Sequence, residues 1–462
     1  MNNTYSDLVH QTFDFPQDGF EVVDSQLHFN GVNLMDIVNK YGTPLKLTYL
    51  PKISSQIVEA KSMFRKAFKE LKYKGKYNYC YCTKSSHFSY ILEEVLKNDV
   101  NLETSYVTDL DLIMKLHGRG LFNKEKYIIC NGYKTKQYTN KISKMINDGF
   151  NVIPILDNKE EINEYNKLVK GECQIGIRIA AEEEPTFQFY TSRLGIRWRD
   201  ILEYYVQHIH NNKKFKLKML HFFINTGIKD EVYYWSELNK ALNVYCQLKN
   251  ICPTLDSINI GGGFPIPNSL GFNYDYQYMI KEIVLQIKNA CKKNKIPHPN
   301  IFTEFGSYTV GESGANIYKI LGQKRQNDAE TWYMIDSSFI TTLPDTWGIG
   351  QRFVLLPVNK WDVDYHRVNL GGLTCDSHDY YNSEVHLNQV FLPKIKNGEP
   401  LYLGFFHTGA YQDQLCGYGG IKHCLIPSPK HVLIGYDKKG NLKDRLFAKQ
   451  QSPASMLKIL GY

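Results

Sequence analysis

A few short stretches of this chain hold residue types that can do chemistry. Lys84 ends the run Tyr77-Asn78-Tyr79-Cys80-Tyr81-Cys82-Thr83 and is followed by Ser85-Ser86. The aromatic run reads as a β-strand and the polar pair as its exit. A lysine held at the end of a buried strand loses its proton more easily than one in water, because low dielectric disfavours the charged form. The neutral amine is then a nucleophile toward an aldehyde coenzyme or a carbonyl substrate. The plainer alternative is a lysine that carries its charge into solvent. Gly261-Gly262-Gly263 follow the apolar run Ser257-Ile258-Asn259-Ile260. Glycines let a backbone approach an anion closely and present N–H groups to it; the alternative is a tight turn. Glu304, in Thr303-Glu304-Phe305-Gly306-Ser307-Tyr308, can pair with a protonated pyridine nitrogen and keep such a ring electron-accepting, or it can simply cap a helix. Gly371-Gly372-Leu373-Thr374-Cys375-Asp376-Ser377-His378-Asp379 packs a thiol, two carboxylates and an imidazole into its last five residues. A thiol can shuttle a proton and a carboxylate can hold a cationic group; a polar surface loop would look the same.

The elements that must position these residues are legible as a period. From about residue 75 to 310, strand-like runs alternate with helical ones: Tyr77–Thr83, Val100–Glu103, Tyr127–Asn131, Val152–Leu156, Gln174–Ile179, Lys218–Ile224, Ser257–Ile260 and Ile301–Glu304. Between them, Trp235, Leu238, Ala241, Leu242, Tyr245 and Leu248 recur at helical spacing, as do Met279, Ile280, Ile283, Val284, Ile287 and Cys291, which marks core-facing stripes. A further helix spans about Ser54–Leu71. This alternation predicts a (β/α)8 barrel, with a doubly wound open sheet as the competitor. The barrel is favoured because Lys84, Glu103, Asn131, Asp157, Arg178, Asn225, the glycine triplet and Glu304 fall at or just past strand C-terminal ends, the face where such barrels keep their chemistry. Turn-forming residues would also collect there. After residue 310, short apolar runs such as Trp332–Ile335, Phe353–Val358, Leu401–Phe406 and His431–Ile434 read as a β-rich domain. Phe20–Val23 and Gln26–Phe29 form a hairpin-like pair that can join it. The expected division is residues 1–45 as an N-terminal segment joining the β domain, 46–310 as the barrel, and 311–462 as the β-rich domain.

Composition narrows the class. The 462 residues exceed one ordinary core, and the hydrophobic fraction of 43% is globular. The net charge of +8 is scattered, which argues against nucleic acid or a membrane surface as partner. No segment is long and apolar enough to span a bilayer, and the first residues lack a signal peptide's pattern. The ten cysteines show no CxxC pair, so reduced thiols in a cytoplasmic protein are expected. Cys80 and Cys82 share a strand face and read as core. No HExxH or regular Cys/His spacing argues for a metal.

In this order, the segments resemble the fold-type III decarboxylases that depend on pyridoxal phosphate (PLP), the group of ornithine, diaminopimelate and biosynthetic arginine decarboxylases. Tyr81-Cys82-Thr83-Lys84-Ser85-Ser86 is similar to the family's Tyr-Ala-x-Lys-Ala-Asn, which implies that Lys84 is the coenzyme lysine. Glu103 sits where the family has an acidic residue, and Ile177-Arg178-Ile179 resembles the strand whose arginine lies beside the ring. Leu220-His221-Phe222-Phe223-Ile224-Asn225-Thr226-Gly227 resembles Leu-His-Phe-His-Ile-Gly-Ser, with Phe223 in place of the second histidine and Thr226 keeping the hydroxyl. Gly261, Gly262 and Gly263 correspond to the phosphate loop, Glu304 to the pyridinium partner, and Tyr411 in Gly409-Ala410-Tyr411 to a tyrosine on the phosphate. Cys375 corresponds to the proton donor to the substrate carbon, and Asp376 to the group on the substrate's far end. Asp379 closes the same motif. Asp336, after Trp332–Ile335, suits a cationic tail or is simply a turn residue, and the run Glu182-Glu183-Glu184 can meet a guanidinium, although a solvated loop is its plainer reading. Ser307 replaces the usual phosphate-binding arginine, Arg193 a lysine, and Tyr106 a smaller residue. The resemblance implies a homodimer with shared active sites that decarboxylates a basic L-amino acid. Arginine, giving agmatine for polyamine biosynthesis, comes first, because the overall look is nearest a bacterial arginine decarboxylase branch. Ornithine, lysine, diaminopimelate and carboxynorspermidine stay open as substrates. A catalytically silent regulator that binds a partner protein is the alternative of another class, motivated by Phe223 and Ser307.

Overall fold

The runs between residues 77 and 305 become eight parallel strands: β1 (Tyr77–Cys82), β2 (Asn101–Thr104), β3 (Ile128–Cys130), β4 (Val152–Leu156), β5 (Cys173–Ala180), β6 (Phe215–His221), β7 (Ser257–Asn259) and β8 (Asn300–Phe305). Each pairs with the next, and β8 pairs with β1. This computed structural model describes residues 3–182, 191–328, 330–381, 390–396 and 398–462. Ring closure decides between the two expected architectures. A doubly wound sheet keeps two edges, whereas here every one of these strands has two neighbours, so the fold is the (β/α)8 barrel.

Strand bounds shift by a few residues from the expected ones, most at β6. It runs Phe215–His221 rather than Lys218–Ile224. The chain must leave the sheet early because Gly227 turns at φ +82° with its α-carbon against the Gly263 backbone. A side chain fits neither the space nor that backbone conformation. The helices bury the stripes that their spacing predicts. Val232–Ile251 buries Leu238, Ala241, Leu242, Tyr245 and Leu248, with Tyr234 rather than Trp235 as the first buried aromatic. Tyr276–Asn294 buries Met279, Ile280, Ile283, Val284, Ile287 and Cys291.

Inside the barrel, Cys80, Ile129, Ile153, Ile155, Met219 and Phe302 pack into one buried cluster. Burying each such side chain is worth about 1.5–3 kcal/mol, and together they plug the barrel. Cys80 and Cys82 alternate along β1 and are both buried, and Lys84 follows in the short 3-10 turn Thr83–Ser85 that leaves the strand. Among the described residues, no helix is long and apolar enough to cross a membrane.

The barrel forms one of two compact units, Ser54–Pro265 with Tyr274–Thr309. The other comprises the segment up to Ile53, Ile266–Asn273 and the chain from Val310 onward. Its main sheet holds ten strands. The hairpin Phe20–Val23 and Gln26–Phe29 forms as read, turning through Asp24 and Ser25 at φ 49° and 61°, and packs Phe20 and Phe29 against Phe406. Two strands escaped the pattern. Gly314–Arg325 has no clean alternation, and Leu45–Tyr49 is buried throughout although Lys46 sits within it. Lys46 is tolerated there because its ammonium pairs with the Asp413 carboxylate.

Gly176 on β5 shows how tight the plug is: an added Cβ would overlap Ile155 Cδ1 and stand 3.3 Å from the Met219 carbonyl oxygen. Gly176→Ala is expected to lower stability by about 1–3 kcal/mol, read as an earlier midpoint in chemical denaturation. An unchanged midpoint would show that the plug is loosely packed.

Candidate active site

At the C-terminal end of the barrel the alternation turns from apolar to polar. Arg178, His221 and Asn259 stand in one register row across β5, β6 and β7. Cys82 and Glu103 are partners across β1 and β2, and Glu304 on β8 is the partner of Cys80. A hydrogen-bonded chain joins most of them. Lys84 Nζ lies 3.5 Å from Glu103 Oε2. Glu103 Oε1 accepts from Asn131 Nδ2 at 3.0 Å and from Ser105 Oγ at 3.3 Å. Asn131 Nδ2 also donates to Glu304 Oε1 at 2.9 Å, which accepts a second bond from Asn259 Nδ2 at 2.6 Å. His221 Nε2 donates to Glu304 Oε2 at 3.1 Å.

Glu103 is fully buried, and Glu304 and His221 nearly so, while the Lys84 side chain keeps 44% of its surface. The amine is therefore the open end of a closed network. Burial alone would raise the Glu304 pKa, but the facing His221, Lys84 and Asn131 outweigh it and hold the carboxyl well below the usual range. Glu304 is thus an anion in a dry place. The Cys82 thiol beside it is driven the other way, by burial and then by Glu103, and stays protonated.

Phe223 lies against Gly261, and the Arg178 guanidinium stands 5.5 Å from its ring centroid, a cation–π distance. The glycine triplet has a packing reason of its own. Gly261 and Gly263 take φ of +69° and +106°, and a Cβ on Gly262 would overlap the Glu304 carbonyl oxygen. Thr226 and Gly227 come beside Gly263, where Ile228 N donates to Gly263 O at 2.9 Å. Ser307 opens a helix of four residues, Ser307–Val310.

The remaining predicted residues belong to the β-rich unit. Tyr411 takes φ +67°. Asp379 is buried and its carboxylate accepts from Thr374 N and Oγ1 of its own loop at 3.0 and 2.7 Å and from Phe339 N, at the start of a short helix, at 2.8 Å. Asp336 Oδ1 accepts from Lys319 N at 3.0 Å. Cys375 and Asp376 are exposed, with Asp376 Oδ1 accepting from His378 N at 2.8 Å. Of the acidic run, Glu182 pairs with Lys240, while Glu183 and Glu184 lie outside the described residues. Asn131 and Asn259 were missed as site residues. The signal was present: an asparagine at an inward position of the apolar run Ser257–Ile260 has no place in a core unless a partner waits for it.

Residues 54–311 match the family model of the pyridoxal-dependent decarboxylases, through its pyridoxal-binding domain. The chain belongs to that family. This decarboxylase is 22% identical to a biosynthetic arginine decarboxylase of Prochlorococcus marinus, over 91% of this chain and 83% of that protein. The crystal structure of a biosynthetic arginine decarboxylase from Campylobacter jejuni shares its fold, with a TM-score of 0.82 at 21% identity over 99% of this chain and 90% of that one. A diaminopimelate decarboxylase from M. jannaschii in complex with L-lysine aligns with a TM-score of 0.74 at 18% identity over 95% of this chain and 96% of that one.

The decarboxylase's own groups fit pyridoxal phosphate. A carboxylate offers about four lone-pair positions, and the three bonds found on Glu304 leave room for one ring N–H. The exposed Lys84 amine heads the same network, and the close-packed glycine loop leaves no side chain to fill a phosphate's space.

The Glu304 shift has a pH consequence. As pH falls, the unfolded chain protonates near the ordinary value of 4.5 and the native one only later. The carboxylate therefore adds stability above about pH 4.5 that is lost as pH drops through the lower native value. Glu304→Gln is expected to flatten the acid limb of a stability-against-pH curve for the coenzyme-free protein; a limb as steep as in the parent would contradict the ionised state.

Proposed function

We propose that this enzyme decarboxylates a basic L-amino acid as a homodimer, with L-arginine as substrate and agmatine and CO2 as products. The observation that carries the proposal is the coincidence of a complete Lys84–Glu103–Asn131–Glu304–His221 network with a nearly full-length likeness to biosynthetic arginine decarboxylases.

Bound pyridoxal phosphate supplies an electron sink for the bond to the departing carboxylate. Lys84 Nζ anchors the coenzyme, and Glu103 Oε2 is the acceptor for the protons that the amine must shed. Glu304 Oε2 holds a proton on the ring nitrogen, while His221, Asn131 and Asn259 fix the carboxylate so that it need not reorganise. Phe223 and Arg178 bound the site on one side. Thr226 and the Gly261–Gly263 backbone receive the phosphate. Cys375 Sγ delivers the proton to the substrate carbon after CO2 leaves. The neighbouring Cys424 thiol pushes the Cys375 pKa up. Asp376 faces the guanidinium. Asp379 is left out of that role because it is buried and both of its carboxylate oxygens already accept bonds from the protein. In the dimer, Cys375 and Asp376 serve the other subunit's barrel.

CO2 release over a panel of L-arginine, L-ornithine, L-lysine, meso-diaminopimelate and carboxynorspermidine tests the substrate. Arginine should give the highest kcat/KM, and dominance of any other would reassign it. Lys84→Ala should abolish turnover, and borohydride reduction of the parent should leave a pyridoxyl group on the peptide containing Lys84. Cys375→Ala should lose about a hundredfold or more in kcat. Mixing Lys84→Ala with Cys375→Ala should restore up to about a quarter of parental activity through hybrid dimers with one intact site; no recovery would mean that each site is built from one chain.

A further inference from the structure

One cluster of chemically reactive side chains is not used up by this scheme. Cys375 Sγ lies 3.6 Å from Cys424 Sγ. The His423 imidazole completes a group of three whose ligand atoms all fall within 4.8 Å of one another. All three side chains are exposed. The two cysteines are 49 residues apart in sequence, so local spacing carried no sign of the group.

The separation is chemically specific. Two thiolate sulfurs, each about 2.3 Å from one tetrahedral ion, stand about 3.8 Å apart. The pair is already at that distance without rearrangement. Both loops that present it are held from behind. Asp379 ties down the Cys375 loop through Thr374 N and Oγ1, and Gly372 N donates to Asp379 O at 2.8 Å. On the other side, Leu425 N donates to Lys422 O at 3.0 Å and Ile426 N to His423 O at 3.2 Å. Buried Lys422 anchors that turn through Nζ to Thr341 O at 3.0 Å. Within the turn, Cys424 and Leu425 both take φ +52°, a left-handed conformation that non-glycine residues adopt at a cost. That backbone is what brings the Cys424 thiol alongside Cys375.

We propose that Cys375, His423 and Cys424 form a binding site for a soft divalent metal ion, zinc in the first instance, with its fourth position open to water or substrate. Two thiolates and one imidazole are a donor set that zinc prefers over the hard ions. Binding forms two metal–sulfur bonds and one metal–nitrogen bond, and the two thiol protons go to solvent; no electron is transferred. The consequence for catalysis rests on the proton-donor role given to Cys375 above. A zinc-bound thiolate has no proton to give, so the metal would switch the enzyme off reversibly.

The test uses the reduced holoenzyme, kept in a thiol-free phosphine reductant. Zinc chloride titrated against a chromogenic chelator should load one ion per chain. Cobalt(II) should give the intense visible bands of a tetrahedral thiolate site. Cys424→Ser and His423→Ala should each bind about tenfold or more weakly. Zinc should shield Cys375 and Cys424 of the unmutated protein from alkylation, a readout that needs no variant to fold. Absence of stoichiometric zinc, or affinity unchanged by Cys424→Ser, would overturn the site. CO2 release is followed in parallel. Zinc inhibition that a chelator reverses, and that Cys424→Ser escapes, supports both proposals. Zinc bound without inhibition supports the metal site and overturns the role given to Cys375.

Discussion

The barrel mouth depends on one interaction: an ionised Glu304 kept in a place that water does not reach. A lone buried carboxylate costs several kcal/mol. Here the cost is offset by three donors from three different parts of the ring, Asn131 after β3, His221 on β6 and Asn259 on β7. None of them is a neighbour of Glu304 in sequence, so only closure of the barrel assembles the set. Asn131 has a second duty. Its amide bridges Glu304 and Glu103, two carboxylates that would otherwise repel across the barrel axis. Glu304 and the carboxylate that pairs with Lys84 are thereby fixed relative to each other.

The layering beneath is what makes the arrangement affordable. The strands that carry His221 and Glu304 also carry Met219 and Phe302 two residues earlier, and Ile129 on β3 and Ile155 on β4 complete the same buried cluster. Water is excluded from below by packing, while the Lys84 side chain keeps part of its surface in solvent.

Much of this was legible in the chain, for physical reasons that vary by residue. The barrel was readable because a period of two and a period of about 3.6 alternate cleanly. Lys84 and Glu304 were readable because a charged residue directly after an apolar run has few places to go. Asn131 and Asn259 hid because asparagine at a strand end normally means a turn, and only the three-dimensional register shows what they donate to. Asp379 reads as a ligand-binding acid, and its partners are invisible in the sequence: Thr374 N in its own loop and Phe339 N forty residues away. The strand Leu45–Tyr49 was invisible because Lys46, its second residue, imitates a surface position, and the counter-charge, Asp413, lies more than three hundred residues away.

That strand has a consequence for how the molecule comes off the ribosome. Leu45–Tyr49 sits between Gly314–Ile317 on one side and Lys430–Ile434 on the other. It is made early, and its last neighbour is made late. At about 5–20 residues per second, the intervening stretch of about 380 residues takes roughly 20–80 seconds to synthesise. The barrel strands are all translated within that interval. Meanwhile an apolar segment with unmet backbone groups waits on the nascent chain, a sticky edge that a holding chaperone is suited to cover.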